Sequence, residues 1–156
     1  MPLYFAYGSS LLRAQMERRI MGNKPVTRAV LKGYRLAFMG NSTERKGPVV
    51  NLLSDPTRFV PGTLYDLNEI MIEYLDRCEA CEKGTYKKLE VTVEKDDGEK
   101  LSAVCYQLSV DGPPFGSPNL GYLLQVKQGY KEWGLPEEIL EEAVEWSKAN
   151  ASKPGS

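Results

Sequence analysis

Glu79 and Glu82 stand three residues apart in the stretch LDRCEACEKGTY, at the predicted end of a helix. Unpaired carbonyls make the field at such an end negative, and a second carboxylate nearby adds to it. Both effects disfavour ionisation and lift a carboxyl toward the range of a general base. A solvated charge on a frayed helix end is the plainer use of such a residue. The same stretch holds Cys78 and Cys81 as a C-x-x-C. Redox chemistry wants that pair at a helix N-terminus, where the dipole lowers a thiol pKa, and here it falls at the opposite end. Zinc wants four ligands; with Cys105 the chain offers three thiols and no histidine. Small, buried, apolar side chains are the expected role of these cysteines. The third pattern opens the chain. YFAYGSSLL runs an apolar stretch into Gly8-Ser9-Ser10 and then into a helical pattern. Such a junction aims backbone N–H groups at one spot, where an anion or a developing oxyanion can sit, although it reads equally as a capped turn.

The absence of histidine decides more than any of these. It removes Ser-His-Asp and Cys-His catalysis and the commonest general base. Acid–base work must fall to Glu, Asp, Lys, Tyr or Cys.

The elements that would position these residues follow from periodicity and punctuation. Residues 3–7 read as a buried strand and residues 11–21 as a helix stopped by Gly22-Asn23. Residues 27–39 mix alternation with a glycine break and predict one bent strand or two. Residues 41–48 predict a polar loop, VVNLLS a short strand, Asp55-Pro56 a turn and residues 62–66 a further strand. Asn68 can cap the next helix, with Glu69 in its first turn, Leu67 and Ile72 at staple spacing, and Met71, Tyr74, Leu75 and Cys78 on one face. Alternating runs around Asp96-Asp97-Gly98 predict a hairpin. A Pro/Gly-rich loop, DGPPFGSP, leads to helices over residues 119–133 and 136–148. Tyr122 lies just inside the first of these, and Trp133 and Trp146 read as core anchors. The order of elements implies one α+β domain over residues 1–148 with a largely antiparallel or mixed sheet, and a disordered tail over 149–156.

Composition sets the outer bounds. The chain has 156 residues, 42% of them hydrophobic and 26% charged, which suits one soluble domain with a sizeable core. Its 20 basic and 21 acidic side chains leave a net charge of -1 and no basic tract, so nucleic acid is not expected as a partner. No apolar run approaches the ~20 residues of a membrane span. The start carries no signal-peptide pattern, which makes the cytoplasm the expected location.

Three stretches together, YFAYGSSLL, the helix ending in a Glu before GTYKKLEVTV, and SPNLGYLLQVKQGYKEWGLP, resemble the γ-glutamylcyclotransferase family in order and spacing, from Leu3 to Pro136. The resemblance implies a small mixed, largely antiparallel β-barrel with packed helices, no metal or cofactor, and release of 5-oxoproline from a γ-glutamyl group. It maps the family's γ-glutamyl-binding loop onto Tyr7, Gly8, Ser9, Ser10 and Leu11, with Tyr4, Phe5 and Ala6 just ahead of it. It maps the catalytic glutamate onto Glu79 and a pocket tyrosine onto Tyr122. Two residues depart from the family pattern. Ser10 stands where Asn is usual, and Tyr130 where a small residue is frequent, so that Tyr130 either reshapes the leaving-group side or fills core. Within that reading the leaving group is open: an α-amino acid, a lysine side-chain amine or another amine, such as that of an aminoglycoside carrying a γ-glutamyl cap. Two other classes compete: a non-catalytic small-molecule binder of the same fold, and a C-x-x-C redox or metal protein.

Overall fold

The computed structural model describes residues 3–42, 45–83, 86–108 and 115–151, with the side chains of residues 41 and 80–83 outside that description. Its strands are β1 (Leu3–Ala6), β2 (Lys24–Ser42), β3 (Gly47–Asp66), β4 (Tyr86–Lys95) and β5 (Lys100–Leu108). Its α-helices are α1 (Arg13–Arg19), α2 (Glu69–Lys83), α3 (Leu120–Trp133) and α4 (Glu137–Ala149), and a 3-10 turn spans Ser9–Leu11. The strands close into a barrel in the order β1-β3-β2-β4-β5. All neighbours run antiparallel except β1 and β5, which are parallel where Tyr4 faces Val104. The expected α+β fold, a mixed and largely antiparallel barrel with packed helices, is the observed one.

The long strands differ from the sequence reading. The stretch read as a bent strand or two is one strand, β2, and the Asp55-Pro56 turn lies inside β3 rather than between two strands. The pairing explains why. Lys32 faces Phe59, but Tyr34 faces Ser54, so residues 55–58 are extruded opposite Gly33. Gly33 takes a φ of 89° there, a conformation that suits glycine. Pro56 has no N–H to give a ladder and occupies a place where none is asked of it. Within the extrusion Asp55 still makes a local turn, accepting from Thr57 N at 3.0 Å and Thr57 Oγ1 at 2.7 Å. The expected polar loop over residues 41–48 is partly strand, because β2 runs to Ser42 and β3 starts at Gly47, and residues 43 and 44 lie outside the described residues. The first helix is shorter than expected. Leu12 is extended, with ψ 116°, and separates the 3-10 turn from α1.

Other expectations hold. The hairpin pairs Tyr86 with Leu108 through Glu94 with Lys100 around Gly98. Asn119 caps α3 by accepting from Gly121 N, and Gly134 closes it in the left-handed conformation. Ala149 ends α4, and residues 152–156 of the expected tail lie outside the described residues.

Two hydrophobic clusters form the interior. The larger fills the barrel and seats α3 and α4, with Phe5, Leu11, Phe38, Leu52, Leu64 and Val126 among its fully buried members. The smaller holds α1 and α2 through Tyr4, Met16, Tyr65, Leu67, Leu75 and Tyr106. Strand β1 feeds both. Its alternation sends Phe5 to the larger cluster and Tyr4 and Ala6 to the smaller.

Candidate active site

At the end of β1 the chain cannot simply turn outward. Tyr7 is buried in the larger cluster, and the 3-10 turn after Gly8 carries three buried residues, Ser9, Ser10 and Leu11. Each part of this turn is tied down. Leu11 N donates to Gly8 O and Leu12 N to Ser9 O, both at 3.0 Å. Tyr65 Oη donates to Ser10 O at 3.1 Å, and Trp133 Nε1 to Leu11 O at 2.9 Å. Gln15 Nε2 and an Arg45 nitrogen donate to Ser9 Oγ at 2.7 and 3.1 Å, and Arg19 donates to Ser10 Oγ at 3.2 Å. Two glycines permit the approach of neighbours. A Cβ at Gly8 would lie 2.6 Å from Val50 Cγ2, and one at Gly129 would lie 2.6 Å from Leu11 Cβ. Helix α3 therefore presses directly on the turn.

A cavity opens beside this turn, lined by Tyr4, Tyr7, Gly8, Ser9, Ser10, Val50, Glu79, Tyr106 and Tyr122. Glu79 reaches it from α2 and is only 4% exposed. It is not the solvated charge that a frayed helix end would carry. The helix continues to Lys83, so Glu79 sits a turn before the end rather than on it. Tyrosines surround the carboxyl. Tyr7 Oη donates to the Tyr106 carbonyl, and Tyr106 Oη donates to Asp76. Asp76 also pairs with Lys88 at 3.0 Å. Burial, then the hydrogen bond to Asp76 and the nearby negative charges of Asp76 and Glu79, push the Tyr106 phenol far above its ordinary value. It therefore remains a proton-bearing donor at any working pH. Tyr122 Oη accepts from Val50 N at 3.1 Å, and the Arg45 guanidinium lies 5.4 Å from its ring centroid. Arg45 also reaches Gln15 and Gln125, so the end of the β2–β3 hairpin is bound to the same turn.

The structure thus brings together Glu79, Tyr4, Tyr7, Gly8, Ser9, Ser10 and Tyr122. It does not bring Phe5, Ala6 or Leu11 to the cavity wall; all three are fully buried in the two cores. The N–H of Leu11 is used inside the turn. The N–H groups of Gly8, Ser9 and Ser10 stand at the start of the 3-10 segment, in the part of the turn that lines the cavity. Tyr130 is fully buried, and its hydroxyl finds no hydrogen-bond partner among the described residues. It packs in the larger core and is not part of the cavity lining. Val50 and Tyr106 were missed in the sequence. Tyr106 had one faint signal, the alternation in AVCYQ that sets it opposite Ala103 and Cys105. Cys105 is buried and Cys78 half-buried, while the Cys81 side chain lies outside the described residues. Among the described residues no cluster of His, Cys, Asp or Glu could hold a metal ion. No described helix is long and apolar enough to cross a membrane.

Comparison with known proteins adds four findings. Residues 59–142 match the model of the AIG2-like family. The γ-glutamylcyclotransferase of Bos taurus is 30% identical over 139 residues, 86% of this chain and 72% of its own length. That of Homo sapiens is 31% identical over 146 residues, 89% of this chain and 75% of its own. A solved γ-glutamyl cyclotransferase structure superposes with a TM-score of 0.81 at 27% identity, covering 91% of this chain and 85% of that one.

Proposed function

Because the chain belongs to the γ-glutamylcyclotransferase family, and is an enzyme of that activity, we propose that Glu79 is its catalytic acid–base and that the Gly8–Ser10 turn cradles the γ-glutamyl group. The observation that carries this reading is the buried Glu79 carboxyl facing the Gly-Ser turn across one cavity.

The chemistry needs little more. A γ-glutamyl amide contains its own nucleophile, the α-amine, so ring closure is intramolecular. A bent, held chain gains up to ~7–11 kcal/mol over a free encounter. The α-ammonium, with a pKa of about 8 in model peptides, first gives a proton to Glu79. The freed amine attacks the γ-carbonyl carbon, forming the new C–N bond of the five-membered ring. The carbonyl oxygen takes up negative charge and the ring nitrogen positive charge. Glu79 returns the first proton to the leaving nitrogen as its bond to carbon breaks, then takes the second proton from the ring nitrogen and passes it to the departing amine. The products are 5-oxoproline and the protonated amine, so the charge of the starting α-ammonium ends on the leaving group. The N–H groups of Gly8, Ser9 and Ser10 hold either the α-carboxylate or the oxyanion. Tyr106, always protonated, fixes Asp76 on α2 one turn before Glu79. Ser10 in place of Asn leaves this scheme intact, since its side chain is occupied by Arg19 and its contribution is the backbone N–H.

We extend the reading to the leaving amine. Every contact assigned above grips the glutamyl half, and the scheme asks of the other half only an amine. A bulky amine, such as that of an aminoglycoside protected by a γ-glutamyl cap, meets that requirement. The test is a mass-spectrometric assay for 5-oxoproline. The pure protein is incubated with γ-glutamyl amino acids, γ-glutamyl-lysine, glutathione and γ-glutamyl aminoglycosides, with Glu79→Gln alongside. Release from an aminoglycoside conjugate, absent in the variant, is the expected result. Release from amino-acid conjugates alone overturns the extension. A folded protein that binds these compounds without turnover overturns the whole assignment.

A further inference from the structure

A second cavity lies apart from the one around Glu79. It measures about 480 Å³ and lies where α4 crosses the β3 extrusion, within the ~300–1,000 Å³ usual for small-molecule sites. It shares no lining residue with the Glu79 cavity. Arg35 and Arg58 line it, as do Glu138 and Glu142. Leu36, Phe59, Ile139 and Ala143 form an apolar wall.

Arg35 is the unusual member. Its side chain is only 14% exposed. Its guanidinium carbon lies over the Trp146 ring, 4.3 Å from the centroid. Its ion pairs are long, 3.6 Å to Asp55 and 3.8 Å to Glu142, and its buried Nε finds no hydrogen-bond partner among the described residues. A half-buried guanidinium with spare donors is costly unless something with fork geometry meets it. Arg58, which pairs with Glu142, brings a second positive charge close enough, after burial itself, to press the Arg35 pKa down. The extrusion that carries Asp55 to Arg58 exists only because the β2–β3 register skips four residues opposite Gly33. The site is therefore built by the backbone and not by surface side chains alone.

We propose that this cavity is a second ligand site, for a small zwitterion of the α-amino-acid class with an apolar side chain. The charge inventory selects that class. Two guanidiniums, Arg35 and Arg58, suit a carboxylate, and two carboxylates, Glu138 and Glu142, suit an ammonium, so an ion of either single sign leaves one pair unmet and is repelled by the other. A molecule with both charges satisfies both sets. Its side chain lies against Phe59 and Ile139, where apolar area leaves water.

The test uses the full chain, isotopically labelled for NMR and titrated with L-phenylalanine. Phenylacetate and phenethylamine serve as single-charge controls. Saturable shifts are expected at the Trp146 indole N–H and at the amides of residues 57–59, with the amides of residues 8–10 unmoved. Arg58→Ala and Arg35→Met are each expected to weaken binding by about tenfold or more. Arg58 is 44% exposed, so its variant keeps the test decisive should Arg35→Met fail to fold. Shifts confined to residues 8–10 overturn the proposal, because phenylalanine then occupies the Glu79 cavity. It is overturned equally by no saturation at millimolar ligand, by controls that bind as tightly as phenylalanine, or by unchanged affinity in Arg58→Ala.

Discussion

Glu79 is 4% exposed, and the proposed mechanism gives its carboxyl the only proton transfers in the reaction. Glu79→Gln keeps the shape and removes the base. We expect kcat to fall by at least ~10²-fold, the usual worth of a positioned general base, with KM little changed and an unaltered unfolding midpoint. A rate near that of the unmodified chain removes Glu79 from the mechanism. Tyr122 makes a different prediction. Its hydroxyl is the acceptor for the buried Val50 N–H, so Tyr122→Phe leaves that donor without it. A loss of about 1–3 kcal/mol in urea unfolding is expected, together with lower activity, since Val50 and Tyr122 both line the cavity. At this scale the sequence was readable where a residue carried its own chemistry. Glu79, Gly8 and Tyr122 stood in recognisable surroundings. Val50 did not, because a valine in a strand says nothing of what faces it across the barrel. Phe5, Ala6 and Leu11 were mapped to the site by resemblance to the family's binding loop and the residues preceding it, whereas β1 alternation and the 3-10 turn direct their side chains to the cores.

Between elements, the close contact of α3 with the Gly8–Leu11 turn rests on Gly129. Alanine in an exposed helix interior gains up to ~1 kcal/mol over glycine. Here the added Cβ would meet Leu11 Cβ at 2.6 Å and the backbone of Leu11 and Leu12 at 3.1 Å, atoms that cannot swing aside. The clash wins. Gly129→Ala is expected to destabilise by about 1–3 kcal/mol and to lower kcat/KM, since the turn must shift away from α3. An unchanged kcat/KM would show that α3 does not set the turn. The β3 extrusion offers a pH-dependent check. Hydrogen bonds from Thr57 hold the Asp55 carboxyl below its ordinary value of 3.8. A carboxyl depressed in the folded state contributes stability that is full above the ordinary value and lost as pH falls through the folded one. NMR titration should find the Asp55 midpoint below 3.8 and, in Thr57→Val, a midpoint moved back up. The helices and the β4–β5 hairpin were legible because caps, glycines and periodicity are local. The continuity of β3 was not. Asp55-Pro56 is a turn locally, and only pairing with β2, a long-range fact, makes it an interruption within one strand.

On the scale of the whole molecule, the cavity lies on the seam between two cores. Tyr7 and Tyr122 come to it from the larger cluster, Tyr4 and Tyr106 from the smaller, and Glu79 from α2, which the smaller cluster anchors. Stability and activity therefore depend on different parts of the interior. The larger cluster closes the barrel and binds α3 and α4. The smaller fixes where the carboxyl on α2 lies relative to the turn after β1. Leu75 is fully buried in the smaller cluster, on the same helix as Glu79 and four residues before it. Leu75→Ala is expected to cost ~2–5 kcal/mol in stability and to loosen α2 while the barrel remains closed. Hydrogen exchange should then quicken along α2 well before it quickens in β2 and β3, and kcat should fall further than the loss of folded protein explains. A cavity of similar size made in the larger cluster by Leu52→Ala tests the contrast, because Leu52 is equally buried but lines no part of the site. It should lower the unfolding midpoint and leave kcat close to that of the unmodified chain. Equal losses of kcat in the two variants would mean that the interior responds as one unit, and that α2 is not held independently of the barrel.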